Sequence, residues 1–292
     1  MRIALIFDKS RPDTTGIYFE RACRSLEVSC EHWWLRDAAR IPAAYDLYLR
    51  VDHGDDYTVN LPEHLRPAIF YAIDTHLPHS WRKIARAAGR YDLVFCAHRA
   101  GTRWLRGAEW LPLACDWEVH GGRGGTEEWD VAFIGTEGGL PRKFYLQALR
   151  ERYPNSFIGP ADYRKMASIY SRSRVGFNYS IADDVNMRLF EVLAANTLLV
   201  TNALHHDDLK VLGLEDRRHL VLYRTPQELM DLIDYFLAHP DERRAIAREG
   251  CTLVREQHTY LHRMKQLLVS ASQRLGVSVP RAPQEAASCA SS

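Results

Sequence analysis

Apolar residues in this chain fall into short unbroken runs separated by stretches of helical spacing. The runs are Ile3–Phe7, Asp46–Val51, Ile69–Ile73, Leu93–Ala97, Val131–Ile134, Val175–Tyr179, Leu198–Thr201 and Leu220–Tyr223. Most are apolar at consecutive positions rather than alternate ones, the pattern of parallel strands covered on both faces. Between them a helical period runs over Gly16–Leu26, Ser80–Ala88, Lys143–Arg152, Tyr163–Ser171 and Met187–Ala195. Such alternation predicts an α/β fold of repeated βαβ units. The last third reads as helices over Pro226–Ala238, Asp241–Gln257 and Tyr260–Leu275, with His239-Pro-Asp-Glu242 as a stop and restart signal.

The rhythm breaks once. Trp110-Leu-Pro-Leu-Ala-Cys-Asp116 is followed by His120-Gly-Gly-Arg-Gly-Gly-Thr126, and a strand resumes at Asp130-Val-Ala-Phe-Ile-Gly135. A phosphate loop is one reading of the glycines, but no Gly-Lys-Ser/Thr follows and the cluster precedes a strand instead of leaving one. Read as a linker, it divides the chain into a first domain at 1–113, a linker at 114–128 and a second domain at 129–258. A helix at 259–276 is expected to pack back toward the first domain, and the Ala-, Ser- and Pro-rich tail at 277–292 to be disordered.

Composition narrows the class. The chain has 292 residues, enough for two cores. With a net charge of +1 and charges of both signs interspersed, it lacks the footprint of a nucleic-acid binder or a polybasic membrane patch. No apolar run approaches the roughly 18–20 residues needed to span a bilayer, and the amino-terminal run is too short for a signal peptide. The six cysteines show no Cys-x-x-Cys pair, so they read as free thiols and the protein as cytoplasmic.

The stretch with most chemistry is Asn186-Met-Arg-Leu-Phe-Glu191, which opens a helix leading into the strand Leu198–Thr201. The first amides of a helix lack partners and the dipole is positive there, so phosphates bind well. Arg188 and Asn186 would contact phosphate oxygens or the sugar ring, and Glu191 would accept two hydrogen bonds from a ribose diol. This suits a nucleoside diphosphate carrying a sugar. Arg142 and Lys143 form a second basic pair after the strand ending Ile134-Gly135-Thr136, where glycine permits close backbone approach. Asn178 ends another strand. Asp74 and His76 follow the strand Ile69–Ile73, and His98 follows Leu93–Ala97. From such strand ends a histidine can take a proton from a hydroxyl, and Asp8 holds a similar position. Plain alternatives stand beside each reading. Glu191 can pair with Arg188 along the helix, Asp183 or Asp184 can cap it, Asn178 can cap a turn, Lys143 can be solvated, and the histidines can bond to backbone. His258 and His262 share an i,i+4 spacing but lack the glutamate of His-Glu-x-x-His. His205-His206-Asp207-Asp208 reads as a helix start.

In order along roughly 90–268, several segments resemble the CgeB-like (spore-maturation-protein-like) glycosyltransferases of glycosyl transferases group 1. They are Tyr91-Asp-Leu-Val-Phe95, Trp110 to Asp116, Asp130 to Thr136, Gly176-Phe-Asn178, Asn186-x-Arg188-x-Phe190-Glu191, His219-Leu-Val-Leu-Tyr223, Glu228-Leu229, Ala247-x-x-Gly250 and His258-Thr-Tyr-x-His-Arg263. Arg50-Val-Asp-His and Ala72 to His76 extend the likeness into the first domain. The resemblance implies the GT-B architecture, two Rossmann-like domains facing across a cleft, with C-terminal helices closing the structure. It implies a nucleotide sugar, UDP-sugar among the candidates, on the second domain and an acceptor hydroxyl on the first. In the larger retaining group, a Glu-x7-Glu pattern places one carboxylate on the donor sugar and the second on the ribose. Glu191 matches the second, while Asp183 stands where the first would be. The chain has no Asp-x-Asp, the metal-holding device of the other glycosyltransferase architecture. The expectation is therefore a metal-independent transferase with no cofactor. A GT-B-shaped binding protein without turnover and a nucleotide-sugar epimerase are the alternatives.

Overall fold

The computed structural model describes residues 1–52, 54, 57–77 and 79–279. Its first half forms a six-stranded sheet from β1 (Arg2–Ile6), β2 (Ser29–Trp33), β3 (Leu47–Val51), β4 (Ala68–Ala72), β5 (Leu93–Cys96) and β6 (Glu109–Trp110). All neighbours are parallel, in the order β2-β1-β3-β4-β5-β6. Its second half forms a five-stranded parallel sheet from β7 (Trp129–Ile134), β8 (Ser156–Gly159), β9 (Ser173–Asn178), β10 (Leu198–Asn202) and β11 (Val221–Tyr223), in the order β11-β10-β9-β7-β8. Helices α1 (Thr15–Ser25), α2 (Trp81–Ala88) and α3 (Trp117–His120) belong to the first half and the junction. In the second half follow α4 (Arg142–Arg152), α5 (Tyr163–Ser171), α6 (Met187–Ala194), α7 (His206–Val211) and α8 (Pro226–Ala238), and α9 (Pro240–Gln257) and α10 (Tyr260–Leu275) end the described chain.

The central strands are largely apolar because helices cover both faces. β3 and β4 are fully buried, and β10 is likewise buried end to end. Three strands are absent from the sequence expectation, and all three lie at sheet edges. β2 and β8 are largely half-exposed, and β6 has only two residues. An edge strand buries little, so its apolar signal is weak.

The junction is more built than a flexible linker. Within the segment 114–128, Ala114, Cys115, Asp116 and His120 are buried. The Asp116 carboxylate caps α3 through the Glu118 and Val119 amides. Cys115 pairs with Thr259 in a β-bridge, so the chain crosses back at the point where it first leaves the first sheet. Arg263, 1% exposed, donates from Nε to the Pro112 carbonyl at 2.8 Å. Beyond this knot α10 packs on α1, with the Tyr260 ring 5.1 Å from Tyr18 and 5.4 Å from Phe19. The two histidines with metal-like spacing are occupied there. His258 contacts the Leu212 carbonyl (2.8 Å), and His262 caps the start of α10. Of the tail expected at 277–292, Val277 is buried against the core, and residues 280–292 lie outside the described residues. No helix among the described residues is long and apolar enough to cross a membrane.

Strand order fixes where a ligand fits. In the second sheet β7 lies between β8 and β9, so the chain reverses its direction of winding there. Open parallel sheets bind ligands in the crevice that opens at the carboxyl ends of such neighbouring strands. Those ends are Ile134-Gly135 and Asn178.

Candidate functional site

Arg188 lies over this switch point. It stands in the first turn of α6, which Asn186 caps by accepting from the Leu189 amide (3.4 Å). Its Nε donates to the Ile134 carbonyl (3.1 Å), Nη1 donates to Asn178 Oδ1 (3.2 Å), and the guanidinium sits 4.3 Å over the Phe133 ring. Asn178, fully buried, is the hub. Its Oδ1 also accepts from Asn186 Nδ2 (3.2 Å), while its Nδ2 donates to Thr201 Oγ1 (3.0 Å). Gly135 has φ +143, and a Cβ there would stand 2.6 Å from Arg188 Nη2. A side chain there would push this guanidinium out of its place.

A cleft of about 310 Å³ opens beside Arg188, lined from both halves of the molecule. Arg142 enters it from α4, with its Nε buried and unpartnered. Burial, and then the charge of Arg188, push the Arg142 guanidinium below its usual pKa. Two neighbouring cations with spare donors, beside the positive end of α6, are suited to an anion such as a diphosphate.

Glu191 faces the same cleft one turn deeper on α6 and is 7% exposed. Burial raises its carboxyl pKa to about 7, and Arg188 only partly opposes the rise. His120 of α3 lies beside it, with its Nε2 3.7 Å from Glu191 Oε1. The Asp116 amide donates to His120 Nδ1 (3.0 Å), which leaves the ring proton on Nε2, the nitrogen 3.7 Å from the acid. Burial pushes the His120 pKa down to about 3, so the ring is neutral. A buried carboxyl with unfilled acceptor positions is suited to a vicinal diol.

Across the cleft stand Asp74, His76 and His98, at the carboxyl ends of β4 and β5. Asp52, buried after β3, accepts from the Ile73 amide (2.9 Å) and the Asp74 amide (3.3 Å), and so fixes this turn. The His76 and His98 rings touch edge to face, 4.0 Å apart. His98 Nδ1 lies 2.8 Å from Asp184 Oδ2 of the other half. Burial alone would raise the Asp184 carboxyl, but His98 and the Ser180 hydroxyl outweigh it and hold the group well below the usual carboxylate range. Burial, reinforced by His98, lowers the His76 pKa to about 4. His76, His98 and Asp184 offer three donor atoms within 4.8 Å of one another, the set that could hold a metal ion among the described residues. The same arrangement suits a proton acceptor oriented by a carboxylate.

Among the residues singled out from sequence, Asp74, His76, His98, Arg142, Asn186, Arg188 and Glu191 line one cleft. Gly135 and Asn178 support it from beneath. Asp183 does not reach it. That residue has φ +52, and its exposed side chain accepts from Asn202 Nδ2 (3.0 Å), so it shapes the turn before α6. Asp184, its neighbour, faces the cleft instead. Thr136 and Lys143 are exposed and outside the lining. Asp8 accepts from the Ser10 amide (2.8 Å) in a turn after β1. Sequence reasoning passed over His120 as part of the glycine-rich stretch, and over Tyr179, which lines the cleft and stacks on Tyr145 at 5.1 Å. Nothing in the spacing marks either one.

Comparison with known proteins extends this picture. The glycosyl transferase-like family matches residues 118–269. No curated protein matches the chain. Among solved structures, Anabaena HepE in complex with UDP and glucose superposes with a TM-score of 0.67 at 11% identity, covering 94% of this chain and 100% of that one. Sucrose-phosphate synthase from Thermosynechococcus elongatus gives 0.66 at 11% identity, covering 95% and 100%. T4 phage BGT in complex with its UDP-glucose substrate gives 0.60 at 11% identity, covering 96% and 100%. Likeness at such low identity establishes the fold, GT-B, and the family match over just more than half of its length makes this chain a member of the glycosyl transferase-like family.

Proposed function

We propose that this protein transfers a hexose-like sugar from a nucleoside diphosphate, UDP for preference, to an acceptor hydroxyl. The observation that carries the reading is the placement of Arg142, Arg188 and Glu191 around one cleft at the strand-order switch. Arg142 and Arg188, with the start of α6, hold the diphosphate, and Glu191 holds the ribose. UDP or UDP-glucose occupies the HepE and T4 phage BGT structures named above, and that supports a uridine nucleotide here. Within the family we place the chain beside the CgeB-like group on its ordered motifs between residues 90 and 268.

In the reaction the bond from the sugar anomeric carbon to the diphosphate oxygen breaks, and a bond to the acceptor oxygen forms. The electron pair leaves with the diphosphate, where fixed positive charge stabilises it. The acceptor proton passes to a ring nitrogen of the His98–His76 pair, and ionised Asp184 stabilises the resulting imidazolium. Because cations and helix amides neutralise the leaving group, the proposed chemistry runs without a metal or other cofactor. The five described cysteines are free, which supports a cytoplasmic setting.

The test is incubation with UDP-, GDP-, ADP- and TDP-sugars, with free nucleotide as the readout. Nucleotide release, even by slow hydrolysis, is expected from a uridine donor. Tight binding with no release would mark a binding protein, and an isomeric nucleotide sugar as product would mark an epimerase.

A further inference from the structure

A second, larger pocket of about 560 Å³ lies at the amino ends of β9 and β10, the opposite edge of the sheet from the cleft. Four arginines reach it: Arg174 from β9, and Arg243, Arg244 and Arg248 from α9. Two carboxylates answer them. Glu127 Oε1 accepts from Arg243 Nη2 (2.6 Å) and Arg244 Nη2 (3.1 Å), and Glu127 Oε2 lies 3.3 Å from Arg174 Nε. Asp130 also pairs with Arg174. Two positive charges are left over, and Arg248 has no acidic partner among the described residues. Arg244 and Arg248 are four residues apart on one helix, where like charges repel. Their cost is lifted when an anion lies between them. Arg243, 2% exposed, also donates to the Phe236 carbonyl (3.0 Å), so its guanidinium is rigidly presented.

Neutral donors complete the wall. The backbone N–H groups of Gly124, Gly125 and Thr126 donate to no described carbonyl. Asn196, in the left-handed region at φ +58, leaves its side-chain amide without a partner among the described residues. The glycine cluster, which has no place in the nucleotide cleft, thus forms one lip of a basic pocket.

We propose that this pocket is a second anion site, for a small phosphate ester or anhydride bearing at least two negative charges. Unpartnered backbone amides and the exposed guanidinium groups of Arg244 and Arg248 are the donors such oxygens accept from. α6 carries Arg188 and Glu191 in the cleft and ends at Ala194, two residues before Asn196 at this pocket, so one helix leads from one site to the other. The proposal does not rest on the transferase reading, and a failed donor assay leaves it standing.

The probe is inorganic pyrophosphate, titrated calorimetrically at matched ionic strength against a chloride control. Arg188→Ala is used to disable the cleft, and in that protein one saturable pyrophosphate site is expected. Arg244→Ala/Arg248→Ala should weaken that site at least tenfold in the same background. Both side chains are exposed, and an unchanged melting curve confirms the fold. Arg248→Ala alone, which breaks no ion pair among the described residues, should weaken it severalfold and serves if the double variant is unstable. No saturable site in Arg188→Ala, or binding indifferent to the α9 arginines, overturns the proposal.

Discussion

If Glu191 grips the ribose as a carboxylate, donor affinity must depend on pH around its raised pKa. The acid titrates at about 7 against a usual 4.5, because it is buried between α6, α1 and α3. The groups facing it are Arg188 on its own helix, His120, and more distantly Asp13, Tyr18 and Tyr260. A diol that donates two hydrogen bonds favours the ionised form. Binding therefore releases a proton below pH 7 and is close to pH-independent above it. Between pH 8.5 and 5.5 the Glu191 contribution should weaken affinity about 30-fold, roughly 2 kcal/mol. The free protein behaves oppositely. A pKa raised in the folded state stabilises it fully below 4.5, and the benefit is lost as pH rises through about 7, for a total of roughly 3 kcal/mol. Calorimetric titration of UDP from pH 5.5 to 8.5 reads the first effect, and urea unfolding reads the second. UDP phosphate titrates too, so Glu191→Gln is the reference. The variant should bind more weakly at pH 8.5, lose the extra pH slope, and fall less in stability as pH rises. A variant with wild-type affinity and the same slope would remove Glu191 from the ribose site.

Other expectations concern the rest of the cleft. Arg188→Ala should cut turnover on the order of 10²-fold, the usual loss of one transition-state charge contact, and unaltered kinetics would take it out of the site. Gly135→Ala should lower both donor affinity and stability, the latter by roughly 1–3 kcal/mol, since a Cβ would stand 2.6 Å from the Arg188 guanidinium at a φ of +143. A thermal melt checks the stability change, and wild-type behaviour would show that the loop relaxes freely. His98→Ala and Asp184→Asn should each reduce kcat roughly 10²-fold or more, while Asp183→Ala leaves it near wild type. The reverse ranking would restore Asp183 to the chemistry. Activity should survive EDTA, and a loss restored by a divalent cation would assign His76, His98 and Asp184 to metal binding instead.

Sequence alone determined the elements with long apolar runs and the helix that carries Asn186, Arg188 and Glu191. These are local facts: a buried parallel strand is apolar at consecutive positions rather than alternate ones, and a helix start favours a capping side chain. The short edge strands β2, β6 and β8 escaped, because strands that bury little leave little pattern. Tertiary structure decided which of two adjacent aspartates faces the cleft. The left-handed backbone at Asp183 turns its side chain to Asn202 and hands Asp184 to His98 from the other half. It also brought His120, buried in what composition marks as a linker, to Glu191, and gathered three arginines from β9 and α9 around Glu127. Contacts of this kind join residues tens of positions apart, and hydrophobic period carries no information about them. Charge and burial at a site are set by what the folded chain places on its far side.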